Sequence, residues 1–212
     1  HAAFGIACRN YIMHLIYDKY DISKLFYFLN KPFHTVFKLT SELGSGNHCR
    51  HIKKANLGIF ELNEEGLISH YIAGHYTYNQ KMIDLINANK VKSHNLPQGV
   101  ISHMYRAAAG GKIGDLTTIG LHTFCAPRHG GGKMNDITTE DIVELLEIDG
   151  TEQLLYKLPK LDIGIIRGTT ADENGNITIE EECLPADILD VAMAVKSMGG
   201  KVIAQVKYIV PA

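Results

Sequence analysis

Apolar positions fall into two textures along this chain. From about Gly58 onward they come in short runs and helical repeats separated by glycine-rich turns. In Asn79 to Asn89, Met82, Leu85, Ile86 and Asn89 share one helical face, with Asn79 placed to cap the helix. In Gln98 to Ala109, Ile101, Met104, Tyr105 and Ala108 do the same, and Gly110–Gly111 supplies the stop. Val91 to Leu96 reads as a short strand, Leu116 to Phe124 as a strand candidate, and Ile163 to Arg167 as a buried strand. Val143 to Ile148 and Gln153 to Leu158 flank Asp149–Gly150, a strong hairpin signal. Pro185 to Met198 carries Ile188, Ala192 and Val195 at helical spacing between a leading proline and Gly199–Gly200. Lys201 to Val210 is rich in β-branched residues and closes the series as a strand. Strands alternating with helices predict an α/β fold, an open and mostly parallel sheet with flanking helices and an inserted β-hairpin.

The first part differs. Ten of the 17 Phe and Tyr residues lie in the first 60 positions, and Tyr11 to Phe37 is aromatic, lysine-rich and poor in glycine. The expected division is an atypical aromatic segment over 1–45 and an α/β domain over 46–212, the change falling between Ser45 and Gly58. A single domain opening on an aromatic helix is the alternative. The chain begins with His1 rather than Met, as a fragment or processed product would, and its opening residues lack the basic head, apolar stretch and small-residue site of a signal peptide.

Composition narrows the function. With 45% hydrophobic and 21% charged residues the chain is an ordinary globular sequence, neither disordered nor collagenous. A formal net charge of −2 argues against nucleic acid as a partner. No apolar run is long enough to span a membrane. Cys8, Cys49, Cys125 and Cys183 are scattered without a CxxC, which suits reduced thiols in the cytoplasm. No HExxH or similar spacing occurs among the 11 histidines. His48, Cys49 and His51 give only weak support for a metal site, so none is expected.

Four segments could carry chemistry. In PRHGGGKMND (127–136), Gly130, Gly131 and Gly132 remove every Cβ between Arg128 and Lys133, so backbone amides could approach a phosphate or carboxylate. The loop lacks the pattern of a Walker A or GxGxxG motif, and a plain surface turn is the competing reading. In NLPQG, Gln98 and Gly99 stand between a strand and a helix, where a side-chain amide can donate to a developing oxyanion. A solvated first-turn glutamine is the alternative. In YIAGHY, Gly74 and His75 follow a short apolar strand, and a hydrogen-bonded structural histidine is the simpler account. In DENGN (172–176), carboxylates beside Asn–Gly read best as a tight turn.

With these segments in hand, the chain resembles the class I coenzyme A transferases, specifically the propionate CoA-transferase and acetyl-CoA:acetoacetyl-CoA transferase group, in their N-terminal, α-like half. The matching stretches are EEGLISHYIAGHY, NLPQGVISHMYR, TIGLHTFCAPRHGGGKMNDITTEDIVELLEIDG, IIRGTTADENGNIT and AVKSMGGKVIAQV, in family order from Glu64 to Val210. The resemblance implies ping-pong exchange of CoA between an acyl-CoA thioester and a short-chain carboxylic acid, with no permanently bound cofactor and an oligomeric assembly. It implies that the nucleophilic glutamate belongs to a β-like half. Gln98 and Gly99 match the oxyanion side. Gly74, His75, Arg128, Gly130, Gly131, Gly132, Lys133 and Asn135 match segments expected near the acyl-CoA channel, and Gly46 and Asn47 the Gly–Asn loop before them. Glu173 resembles the family nucleophile only superficially, because its flanks match the ADxxGNIT turn. The departure is at the front: residues 1–43 lack the family's opening strand and glycine loop, which would leave a sheet edge and part of the CoA cleft uncovered. A truncated, non-catalytic interaction protein is the rival reading, and a sugar-phosphate isomerase on a similar sheet a more distant one.

Overall fold

The computed structural model describes residues 14–16, 62–76, 79–182 and 184–212. In chain order the elements are β1 (His14–Ile16), β2 (His70–Ala73), α1 (Gln80–Asn87), β3 (Lys92–Asn95), α2 (Gln98–Ala109), β4 (Gly114–Thr117), β5 (Val143–Ile148), β6 (Thr151–Lys157), β7 (Ile163–Asp172), β8 (Ile177–Thr178), α3 (Ile188–Ser197) and β9 (Lys201–Val210). The alternation of helix and strand expected from the apolar pattern is present. The strands divide among three open sheets: β1-β9-β7-β8, β2-β3 and β4-β6-β5. Pairings β1–β9, β2–β3 and β7–β9 are parallel; the β4-β6-β5 set and β7–β8 are antiparallel.

The β2–β3 pair positions the rest of the site. Its strands alternate faces as a pleated pair must. Tyr71 packs with Met82, Ile86 and Val91, next to α1. Ile72 joins Leu96, Val100 and Ile101, the core under α2. Both faces are thus covered by a helix, which is why a strand as polar as Lys-Ser-His-Asn is stable only with its polar groups paired. Asn79 caps α1, its Oδ1 accepting from the Met82 amide at 3.3 Å.

Helix α2 buries Val100, Ile101, Met104, Tyr105 and Ala108 against the larger core. Each large side chain there is worth about 1.5–3 kcal/mol relative to exposure. Its outer rim is tied to α3: Arg106 Nε donates to Asp190 Oδ2 at 2.8 Å and Ser197 Oγ to the Ala108 carbonyl at 2.9 Å. α3 turns Val191, Ala192, Ala194 and Val195 inward onto β7 and β9.

Three expectations need adjustment. The strand read over Leu116 to Phe124 is shorter and earlier, at Gly114–Thr117, and 118–124 form turns around the buried Tyr156, whose hydroxyl donates to the Ile119 carbonyl at 2.8 Å. The strand at Ile163 runs on to Asp172, because β9 pairs alongside it as far as Val210. The edge of β9 is covered in part: His14–Ile16, within the aromatic run, pairs with Ile203–Gln205 in parallel. The Asp149–Gly150 turn is as expected, both residues with positive φ (51° and 73°), which a two-residue hairpin loop of this kind requires. The boundary placed between Ser45 and Gly58 lies outside the described residues, as do Gly46, Asn47 and the His48–Cys49–His51 group. Among the described residues no helix is long and apolar enough to cross a membrane, and no group of three or more His, Cys, Asp or Glu is placed to hold a metal.

Candidate functional site

Three of the segments singled out by sequence meet at the carboxyl ends of the two parallel strands. In open α/β sheets this end is where ligands bind. β2 runs out into Gly74 and His75, and β3 into Leu96, Pro97 and Gln98. The two exits are tied together by the Leu96 amide, which donates to the Ala73 carbonyl at 3.1 Å. The third segment, the glycine loop, lies along β3. The Asn95 amide donates to the Gly132 carbonyl at 2.8 Å and the Met134 amide to the Ser93 carbonyl at 2.9 Å, so His94 and Lys133 form an antiparallel bridge.

Gln98 is the first residue of α2 and is exposed. Pro97 makes no side-chain cap, so the amides of this first turn are left without an intrahelical acceptor or a capping oxygen. They add their partial positive charge where the Gln98 carboxamide sits. Gly99 is exposed too, and a Cβ there would meet nothing within 4 Å. His75 is exposed just past the end of β2.

The glycine loop is built differently from a phosphate cradle. Gly130, Gly131 and Gly132 all have positive φ (115°, 65° and 77°). Their amides are already used, donating to the carbonyls of Pro127, Ala126 and Phe124 at 3.2, 3.0 and 2.9 Å. In this conformation they are not available to an anion, and what the glycines supply is a curl tight enough to dock on β3. A Cβ at Gly132 would stand 2.8 Å from the Asn95 carbonyl oxygen and 2.9 Å from Leu96 Cδ2. Gly132→Ala is therefore expected to combine left-handed strain with a backbone clash and to cost about 1–3 kcal/mol; thermal unfolding of the variant checks it.

The flanking charges are paired. Arg128 meets Glu152 at 2.6 Å and Lys133 meets Asp141 at 2.6 Å. Hydrogen bonding to Lys133 holds the Asp141 carboxyl below its ordinary value. An open cavity of about 380 Å³ lies over the loop between Pro127, Gly130, Gly131, Lys133 and Asp141. Asn135 also borders it, but the side-chain amide of Asn135 turns away, donating to the Ile86 and Val91 carbonyls at 2.7 and 2.8 Å. That satisfies the end of α1, which makes Asn135 a strut of the fold.

Beneath the loop lies a feature the sequence did not flag. His94 on β3 is fully buried; its Nε2 lies 3.0 Å from the Glu140 carbonyl oxygen and its Nδ1 2.8 Å from His70 Nε2. Only one tautomer satisfies both contacts: His94 donates from Nε2 to the carbonyl and accepts at Nδ1 from His70. Burial, then the neighbouring His70, pushes the His94 imidazole down to about 4. Tyr76 braces the same strand, its hydroxyl 2.6 Å from Ser93 Oγ and 2.8 Å from the His94 carbonyl oxygen. The Ser93 amide in turn donates to Thr138 Oγ1 at 2.8 Å. No metal-like spacing announces this pair, because its partners stand on neighbouring strands.

The DENGN segment forms the turn between β7 and β8. Asp172 Oδ1 accepts from the amides of Asn174 and Asn176 at 3.0 and 2.9 Å, and Glu173 points to solvent. Cys125 is buried, with its Sγ 3.7 Å from the Asn95 carbonyl oxygen.

Comparison with known proteins bears directly on this arrangement. The profile of the family described as Coenzyme A transferase matches residues 26–212. The chain is 50% identical over 151 residues to a caffeate CoA-transferase of Acetobacterium woodii, covering 71% of the chain and 29% of that protein. It is 41% identical over 157 residues to an acetate CoA-transferase of Escherichia coli O157:H7, covering 74% of the chain and 30% of that protein. It thus spans under a third of the length of these curated relatives. A crystal structure of the acyl-CoA transferase of E. coli O157:H7, in a thioester complex with CoA, superposes with a TM-score of 0.71 at 41% identity, covering 74% of the chain and 32% of that one. The glutaconate coenzyme A-transferase of Acidaminococcus fermentans shares the fold at 19% identity, with a TM-score of 0.55 over 69% of the chain and 48% of that one. On this match of profile, the chain belongs to the coenzyme A transferase family.

Proposed function

We propose that this chain forms the α-like wall of an acyl-CoA:carboxylate CoA-transferase, acting on short-chain acids together with a β-like half that carries the nucleophilic glutamate. The observation that carries the reading is the placement of Gln98. Its carboxamide stands at the start of α2, at the carboxyl ends of a parallel strand pair, in a chain of this family. Such a donor stabilises charge that develops on a carbonyl oxygen.

The chemistry runs in balanced steps. The glutamate carboxylate attacks the thioester carbonyl carbon, the C–S bond breaks, and CoA thiolate leaves behind an acyl-glutamyl anhydride. The thiolate then attacks the glutamyl carbonyl of that anhydride, releasing the first acid as its carboxylate and forming a glutamyl-CoA thioester. A second carboxylate reverses the sequence and departs as its CoA ester. Each tetrahedral step places negative charge on an oxygen, and Gln98 with the first-turn amides of α2, including Gly99, meets it. The steps need no electron carrier and no metal. Gly74, His75 and the loop from Arg128 to Lys133 would border the acyl-CoA channel. The acids for which the relatives are named, caffeate and acetate, differ greatly in size, as expected if part of the acid pocket belongs to the other half.

Lys133 is the cation lining the cavity over the glycine loop, where it would meet an anionic stretch of CoA, and Asp141 competes for it. Asp141→Asn is expected to lower KM for acyl-CoA by about two- to fivefold, an effect that shrinks at high salt as an exposed pairing should. Steady-state kinetics at two ionic strengths read it. The reading as a whole is tested by CoA transfer from acetyl-CoA to propionate, with the chain alone and with a β-like half added. Activity only after addition supports it. Lack of activity and of association in both cases would favour a non-catalytic protein.

A further inference from the structure

We infer that Gly74 is a positioning residue for the Gln98 carboxamide. The inference rests on the reading of Gln98 as an oxyanion donor and assigns Gly74 a role other than contact with substrate. The backbone at Gly74 does not have positive φ, so an L residue could adopt its conformation. What glycine supplies there is room. A Cβ would lie 2.3 Å from Gln98 Oε1, 2.9 Å from Gln98 Cβ and 3.0 Å from Gln98 Cα.

All three nearest atoms belong to one residue. The Gln98 side chain folds back over the end of β2 with its oxygen on Gly74, and the amide nitrogen is left as the end able to donate. Any side chain at position 74 would displace the carboxamide or push the first turn of α2 away from β2. The second option is opposed by Val100 and Ile101, both buried in the core just behind, and by the Leu96–Ala73 hydrogen bond. The carboxamide, the flexible end of the side chain, therefore moves furthest, and the contacts at Gln98 Cβ and Cα require a smaller adjustment behind it. A misplacement of about 1 Å at a catalytic group can cost on the order of 100-fold.

The test is a double-mutant cycle in the chain assayed with a β-like half. Gly74→Ala is expected to lower kcat about 10- to 100-fold with KM for acyl-CoA little changed. In a Gln98→Ala background the same substitution is expected to cost little more. A rise in KM at constant kcat would make Gly74 a substrate contact and overturn the inference. So would an unchanged kcat in Gly74→Ala, or an equal loss in both backgrounds. Gln98→Ala with an unchanged rate would instead overturn the oxyanion reading. Should Gly74→Ala yield no soluble protein, Gly74→Ala/Gln98→Gly, which deletes the two closest contacts, is expected to recover it. Failure to recover it would locate the clash elsewhere and refute the inference.

Discussion

Replacing Gln98 by Ala is expected to lower turnover by roughly 10²–10³-fold, the effect of losing one preorganised oxyanion donor. The side chain is exposed, so the loss should come without a comparable fall in stability. The magnitude follows from where charge develops. A donor that strengthens only in the tetrahedral state changes kcat and kcat/KM together and leaves the thioester's ground-state binding nearly untouched. Steady-state kinetics of the variant with a β-like half decide it. An unchanged kcat would remove Gln98 from the reacting centre.

The second large effect is on acid stability and comes from the pair beneath the glycine loop. His94 is held near 4, against an ordinary value of 6.5, by burial first and by His70 second. The sign follows from linkage. The unfolded chain binds a proton at His94 below about 6.5, whereas the native state refuses it down to about 4. The stabilisation is complete above 6.5 and is lost as the pH falls across that window. At about 1.4 kcal/mol per pH unit it amounts to on the order of 3–4 kcal/mol. The groups facing the pair from its neighbours are Lys92 on β3, Lys133 on the loop, and Glu140 with Asp141 beyond it. Lys92 holds the Glu140 carboxyl down to about 2, so that carboxylate stays charged throughout the window. Denaturation midpoints measured between pH 7.5 and 4.5 should fall with acid in the native chain. They should fall less in His94→Gln, which can still donate to the Glu140 carbonyl but does not titrate. Equal slopes in the two proteins would dismiss the pair as the cause.

Much of this architecture is legible in the sequence for a physical reason. α2 announces itself because its buried face, its starting proline and its closing glycines agree, and the Asp149–Gly150 hairpin because positive φ at two consecutive residues suits few others. The segments that gather at the strand ends were also visible, since polar and glycine residues interrupt apolar runs there. What stayed hidden depends on contacts distant in sequence. The glycine triplet reads equally well as an open cradle or a closed curl, and only the carbonyls of Phe124, Ala126 and Pro127 decide for the curl. Asn135 looks like a ligand residue until the Ile86 and Val91 carbonyls claim it. His94 sits in a strand too polar to predict as buried, and its stability there comes from His70 on one side and Glu140 on the other. The strand at His14–Ile16 carries no signal of its own and is fixed by β9.

In the proposed reaction this chain supplies the oxyanion wall while another half supplies the nucleophile. Trapping the covalent intermediate reads which half carries that nucleophile. The chain and a β-like half are incubated with acetyl-CoA, quenched with hydroxylamine, and digested for peptide mass spectrometry. Glutamyl-CoA thioester at the nucleophile would be converted to a hydroxamate, marking that residue by mass. The mark is expected on a glutamate of the β-like half, with Glu173 and every other carboxylate of this chain unmodified. A hydroxamate at Glu173, or on any residue here when the chain is incubated alone, would contradict it.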